Sequence, residues 1–233
     1  MTPTPLVSVV LPVRNGERFL AQALASVIAQ TWRPLDVVVV DGHSTDGTAD
    51  IAQSFPGVRY LPQHGRGIGA GYNTGVAEAR GQFISFLSYD DVWTPDKTAL
   101  QMALIQTRPD IGFAVGHAQF FLEPGSEVPA GFRSTWLQGT HAACIPETLL
   151  ARRELFESVG RFDVSLSTGH DVDWFARARD LGVVHAMLPD VLVHKRVHDT
   201  NASLNDGSTN ANLLDVVRRS LARKRQPPRT AWR

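Results

Sequence analysis

Cysteine is nearly absent: Cys144 is the single one in 233 residues, which excludes an intrachain disulfide and favours a reducing compartment. Net charge is absent as well. Twenty-three Lys and Arg balance 23 Asp and Glu, so no overall cationic field points to nucleic acid. No run approaches the ~20 apolar residues needed to span a bilayer, and the first residues lack a basic segment leading into a long apolar core. A cytoplasmic protein is the expectation. On that basis the sequon Asn201-Ala202-Ser203 is read as chance. There is no internal repeat and no low-complexity tract. What remains is an ordinary globular composition, 43% hydrophobic and 20% charged, sufficient for one substantial core. Its charge is unevenly spread. The stretch Asn212–Arg233 carries Arg218, Arg219, Arg223, Lys224, Arg225, Arg229 and Arg233 against Asp215 alone, leaving the rest acidic.

Strands and helices alternate through the first hundred residues. Val7–Leu11, Leu35–Val40, Val58–Leu61 and Phe83–Leu87 read as strands. Between them, Glu17–Gln30 sets Phe19, Leu20, Ala23, Leu24, Val27 and Ile28 on one helical stripe, and Ser44-Thr45-Asp46 caps a helix running to about Ser54. Ile68–Ala79 reads as helix despite its glycines. Thr94-Pro95 has the cap-then-proline signature of a helix to about Thr107. This βα repeat implies a mainly parallel sheet. Beyond it, Ile111–Phe121 reads as a strand, Glu123–Gly139 as irregular, Glu147–Arg152 as a strand, Arg153–Val159 and Asp171–Leu181 as helices, and Val183–Val197 as one or two strands. The expected division is functional: residues 1–100 as one half, 101–205 as a second half sharing the same sheet, and 206–233 as a basic helix and tail.

Two acidic clusters follow buried strands: Asp41 in VVVVDGHSTDGT, and Asp90-Asp91 in FISFLSYDDVWTP. Carboxylates at strand exits stand where an open α/β sheet binds its ligand, and a nearby pair can hold a divalent cation against phosphates. A nucleotide-using, metal-dependent enzyme is the chemistry implied. One rival motif is Gly65-Arg66-Gly67-Ile68-Gly69-Ala70, a G-x-G-x-x-A variant of the dinucleotide fingerprint with Asp90 about the right distance beyond it. That fingerprint belongs after the first strand, and here two βα units precede it. Asp46 reads as a helix cap, and Asp173 as a charge favoured at a helix start.

Four segments in order resemble the family 2 glycosyltransferases of GT-A fold: VSVVLPVRNGERFLAQALASVIAQT, VVVVDGHSTDGT, GYNTGVAEARGQFISFLSYDDVWTPDK, and LLARRELFESVGRFDVSLSTGHDVDWFARARDLG followed by RVHDTNASLN. The resemblance spans roughly residues 6–205. It implies a single α/β domain, a Rossmann-like αβα sandwich with a mainly parallel central sheet. It also implies transfer of a sugar from a UDP-, GDP- or dTDP-sugar to a glycan, natural-product or peptide acceptor, with inversion at the anomeric carbon. By the same resemblance Asp41 contacts the base or ribose, Pro12 and Arg14 face the nucleotide, and Arg66 and Asn73 line the donor pocket. Asp90 and Asp91, with His198, hold Mn²⁺ or Mg²⁺ and the diphosphate. Asp171 is the general base, since an inverting transfer needs a carboxylate within reach of the nucleophile. Trp174 forms an acceptor floor or a piece of core.

The chain departs from the family pattern at three places. Gly42 stands where relatives often have a second aspartate, Ser88 where they have the first of Asp-x-Asp-Asp, and His170 where they have glutamate. Two other readings therefore stay open: a non-catalytic nucleotide-sugar-binding or scaffold protein, and a sugar nucleotidyltransferase, for which PVRNGE is a poor signature. The basic helix around Leu213, Leu214, Val216, Val217 and Leu221 is either solvated or lies on an anionic membrane surface.

Overall fold

Valine crowds the first strand, and β-branched residues pack well on a pleat buried on both faces. Val7–Val13 (β1) is accordingly buried along its whole length. It lies parallel to Leu35–Asp41 (β2) on one side and Phe83–Phe86 (β4) on the other, with Val58–Pro62 (β3) beyond β2. The computed structural model describes residues 4–199, 201 and 209–224. Its remaining strands are Val92–Trp93 (β5), Phe113–Leu122 (β6), His141–Ala143 (β7), Leu150–Arg152 (β8) and His185–Val197 (β9). One sheet holds them all in the order β3-β2-β1-β4-β8-β6-β9-β5, with β7 on β6. The β3-β2-β1-β4 half is parallel, β8 joins antiparallel, and β6 and β9 run parallel to each other.

Helices cover both faces. On one side Leu20–Ile28 (α1) and Lys97–Thr107 (α4) bring Leu20, Leu24, Val27, Met102 and Ile105 against Val7, Val9 and Leu11. On the other, Ile68–Glu78 (α3) and His170–Asp180 (α6) bring Tyr72, Val76 and Trp174 against Val10, Val38 and Val40. The alternation of β1 between the two cores is the period of two that a strand imposes. Each fully buried aliphatic or aromatic side chain contributes roughly 1.5–3 kcal/mol. Thr48–Ser54 (α2), Leu155–Ser158 (α5) and Thr209–Lys224 (α7) complete the helices. None among the described residues is long and apolar enough to cross a membrane.

Two of the glycines of α3, Gly71 and Gly75, have a packing cause. A Cβ at Gly75 would come within 2.1 Å of Val10 Cγ1, so only glycine lets the helix settle this close to β1.

Several boundaries differ from expectation. Pro95 is not the first helical residue, because α4 starts at Lys97 after Asp96, and the Thr94 hydroxyl is engaged by the Val191 carbonyl at 3.0 Å. Glu147 lies in a short 3-10 turn, Pro146–Thr148, rather than in a strand. The segment from 185 to 197 is one strand with register irregularities opposite Val115–Ala118. The proposed limit near residue 100 falls at a joint: the buried Gln101 amide donates to the carbonyls of Ala114 and Thr148, at 2.9 and 2.7 Å. The two halves do share one sheet. The Gln226–Arg233 tail and Ala202-Ser203 lie outside the described residues.

Candidate functional site

Parallel pairing brings several chemical side chains to one edge. Val13 stands beside Asp41, and Asp41 beside Pro62. β4 ends at Phe86 opposite Val10, so the chain turns into Ser88-Tyr89-Asp90-Asp91 at that same edge. This early end also tolerates Pro12 inside a central strand, because its missing N–H faces no β4 carbonyl. Pro12 is buried, however, with its Cβ 2.9 Å from where a Gly71 side chain would begin. It supports the edge and presents nothing to a ligand, contrary to the sequence expectation. Arg14 is exposed beside Gly42.

Asp41 is 5% exposed and accepts from the Ser44 N–H at 3.0 Å, the Ser44 hydroxyl at 2.5 Å and the Tyr60 hydroxyl. These use three of roughly four acceptor positions of a carboxylate. Burial and the bond to Asp41 push the Tyr60 phenol up to about 12. Space for a side chain at Gly42 is close but not closed. A Cβ at Gly42 would meet Gln63 Oε1 at 3.2 Å and the Val13 carbonyl at 3.4 Å.

Asp90 and His198 meet from opposite halves of the chain, Asp90 Oδ2 lying 3.1 Å from His198 Nε2. The His198 side chain is closed to solvent and its ring packs against Phe19 at 4.8 Å. Burial works against the Asp90 charge, but His198 and Lys195 hold its carboxyl below the usual range. Arg196 fixes the backbone here. Its Nε donates to the Asp90 carbonyl at 2.9 Å while the guanidinium lies between the rings of Phe19 and Phe121.

Asp91 points elsewhere. It is 1% exposed, accepts the Arg196 N–H at 2.9 Å and forms an ion pair with Lys195. The expected metal-ligand role of Asp91 is therefore corrected: its oxygens are spent on a buried lysine and a backbone donor. Asp90 and His198 are the pair that fits a divalent cation, since Mg²⁺-type ions take one or two protein donors and fill the rest with phosphate and water. No group of three or more His, Cys, Asp or Glu among the described residues could hold a metal by itself.

Glu147 is the residue that sequence reasoning missed. Its carboxylate, 7% exposed, accepts the Ser88 hydroxyl at 2.5 Å and lies 3.3 Å from Lys195 Nζ. A negative charge is thus present beside Ser88 after all, brought from the second half. The only signal in the sequence was an acidic residue after Ile-Pro, which resembles any solvated turn.

Helix α6 opens on His170 and Asp171 after Gly169, whose φ is 76°. Asp171 is half-buried, and burial raises its pKa although His170 and the Val172 N–H oppose the shift. His170 is 8% exposed, tilted against Tyr72 and edge-on to Phe162, and burial lowers its pKa against the pull of Asp171 and Glu147. Among the described residues its Nδ1 has no partner. The Tyr72 phenol is buried, and its pKa is raised by burial and by the charges of Glu147 and Asp171.

Two expected contacts fall away. Trp174 is completely buried, its indole N–H donating to the Gly160 carbonyl at 3.0 Å, so it is core and not an acceptor floor. The Asn73 amide is consumed on both sides by the Phe162 backbone, at 2.8 and 3.0 Å, which ties α3 to that loop instead of freeing it for a donor. Arg66 is exposed beside a shallow groove of about 410 Å³ shared with His64, Asn73 and Arg161 on the outside of α3. Asp173, as expected, is a helix-start charge, paired with Arg177 at 2.7 Å. Asp46 caps α2, accepting the Thr48 N–H at 3.1 Å.

The model of glycosyl transferase family 2 matches residues 8–160. An uncharacterized glycosyltransferase of Rickettsia typhi is 31% identical over 220 residues, covering 88% of this chain and 69% of its own. Staphylococcus aureus TarS 1–349, solved with UDP, superposes with a TM-score of 0.70 at 20% identity over 93% of this chain. The mannosyltransferase PcManGT of Pyrobaculum calidifontis, solved with GDP-Man and Mn²⁺, superposes with a TM-score of 0.65 at 21% identity over 98% of this chain. The chain spans 64% of that TarS chain and 66% of the mannosyltransferase chain.

Proposed function

The chain belongs to glycosyl transferase family 2 and has a GT-A-type fold; from that premise we propose that it moves a glycosyl group from a nucleoside diphosphate sugar to an acceptor nucleophile, with inversion and with Mn²⁺ or Mg²⁺. The observation that carries this reading is the pairing of Asp90 with His198 at 3.1 Å, after the strand beside β1, at the edge where β2 ends in Asp41. Asp41 and Arg14 address the nucleoside end of a UDP-, GDP- or dTDP-sugar. Asp90 and His198 hold the cation, which when bound neutralises the charge of the departing diphosphate. Asp91, Lys195 and Arg196 keep Asp90 in place. Asp171 takes the proton of the attacking nucleophile, and its raised pKa suits a base working near neutral pH.

Residues 1–100 supply most of the donor site and 101–205 the acceptor side, a glycan, natural product or peptide being the acceptor class. The complexes of TarS with UDP and of PcManGT with GDP-Man and Mn²⁺ support a nucleotide-sugar donor and a cation here. The single Cys144 supports a reducing, cytoplasmic setting. Titration calorimetry with UDP and GDP, each with and without Mn²⁺, tests the proposal. At least one nucleotide should bind with metal-dependent affinity; equal affinity without metal would refute cation dependence, and no binding of either, nor of dTDP tried the same way, would refute this choice of donors.

A further inference from the structure

The helix α7 is amphipathic twice over. Its inner face is fastened to α6 and the loop before it: Val216, 2% exposed, packs with Leu166 and Ala176. The Ser220 hydroxyl donates to Asp180 at 3.0 Å, Arg223 Nε donates to Asp180 at 2.9 Å, and Arg219 pairs with Asp163 at 2.6 Å. These contacts fix the rotation of the helix about its axis. They also consume two of the arginines that the sequence offers to a partner.

The opposite face should then be polar, as on an ordinary surface helix. Instead Leu214, Val217 and Leu221 stand outward, 59%, 55% and 53% exposed. Spaced i, i+3 and i+7, they form one stripe along the helix. Arg218 and Lys224 are exposed on its flanks. The one acid of the helix, Asp215, is paired with Arg219 at 2.6 Å, so no unpaired carboxylate offsets those two cations. An aliphatic stripe edged with cations is the pattern of a helix lying in a lipid interface. Docking of a second copy would bring Arg218 and Lys224 against their own kind, which like-charge repulsion disfavours.

We propose that this outer face of α7 docks on an anionic lipid surface. The position gives the docking a purpose. Asn212 Nδ2 donates to the Thr168 hydroxyl at 3.1 Å, and a Cβ at Gly169 would touch Leu213 at 3.6 Å, so the start of α7 lies beside the start of α6, where Asp171 is. The acceptor is therefore one presented at a membrane, a lipid-borne hydroxyl. This last step rests on the reading of Asp171 as base; the docking itself does not.

Vesicle flotation of the whole chain tests it, comparing phosphatidylcholine vesicles with equimolar phosphatidylcholine–phosphatidylglycerol vesicles. Association should favour the anionic vesicles by roughly fivefold per flanking cation and weaken with salt. Leu214→Ser/Val217→Ser/Leu221→Ser should abolish it with the melting temperature and metal-nucleotide binding unchanged, since these side chains are solvent-facing. Arg218→Gln/Lys224→Gln should weaken it and leave fold and nucleotide binding alone. If the triple variant melts early, the single variants Leu214→Gln and Val217→Gln take its place. Failure of the parent protein to float with anionic vesicles would overturn the proposal, as would flotation that survives loss of the stripe. Self-association that disappears in the triple variant would also overturn it, in favour of a second copy as occupant. Nucleotide calorimetry on the same samples reports separately on the donor site.

Discussion

Lys195 bridges Asp91 and Glu147 with one ammonium, joining the loop after β4 to the turn before β8. Burial opposes that positive charge, but the carboxylates of Asp91, Glu147 and Asp90 around it hold its pKa above the ordinary lysine range. The lysine acts as an internal counter-ion. It pairs with Asp91 and Glu147, whereas Asp90 pairs with His198, and this division leads to different outcomes at adjacent aspartates.

Asp91→Asn should damage the fold. Removing one partner of a buried pair costs up to about 3–5 kcal/mol, and Glu147, 3.3 Å from Lys195, should keep the loss below that ceiling. Asp90→Asn, whose side chain is 15% exposed, should instead leave the urea midpoint near that of the parent and remove the Mn²⁺ dependence of nucleotide binding. Equal stability of the two variants would show that Lys195 does not need Asp91.

Asp171 should govern the acid limb of turnover. A base must be ionised to accept a proton, and burial holds this carboxyl above its usual range, so activity should rise with pH through a value higher than that of an ordinary aspartate. Asp171→Asn should lower transfer ~10²–10⁴-fold at unchanged donor affinity. His170→Ala should cost less. A parallel loss of donor affinity would move Asp171 into the donor site.

Glu147→Gln keeps an acceptor oxygen for Ser88 and removes the charge. Because the Glu147 charge raises the pKa values of both His170 and Asp171, the variant should move the acid limb to lower pH and lower the His170 imidazole pKa, readable by proton NMR against a His170→Ala control. An unmoved imidazole titration would mean that the field of Glu147 is screened by Lys195.

Acid should loosen α7 before the rest of the molecule. Burial opposes the Asp163 charge, yet hydrogen bonds from Ser165 and the Arg219 guanidinium hold its pKa below the ordinary value. A depressed folded pKa means that the stabilisation is complete above the unfolded carboxylate pKa of ~3.9 and disappears as pH falls through the folded value. Hydrogen exchange of residues 209–224 should therefore accelerate below about pH 4 while β1 and β2 stay protected. Asp163→Asn should show the same acceleration at neutral pH.

The first hundred residues were legible because their signals are local. Apolar runs of strand length, helical stripes and caps each lie within a few residues, and the structure moves their ends by only a few positions. Asp41, Asp90 and Asp171 could be singled out because each follows a strand or opens a helix. The partners they find could not. Glu147 and Lys195 reach Ser88 and Asp91 from 59 and 104 residues away, through pairings of β4, β8, β6 and β9 that no period in the sequence encodes. Trp174 and Asn73 failed for the opposite reason: residue types suited to binding sugars are equally suited to filling a core or bridging a loop, and only burial separates the two uses.

Lys97 reaches Ser85 and Gln101 at 2.8 Å, and Gln101 in turn holds the carbonyls of Ala114 and Thr148. A polar relay of this kind, sunk in the core where the two halves meet, leaves no seam along which the molecule can come apart. Cut at residue 100, each fragment would expose its share of hydrogen-bonding groups to an apolar surface with nothing to satisfy them. Residues on both sides of position 100 are thereby held in one core. One consequence is evolutionary: sequence can be added at the ends of such a chain more easily than one half can be exchanged for another.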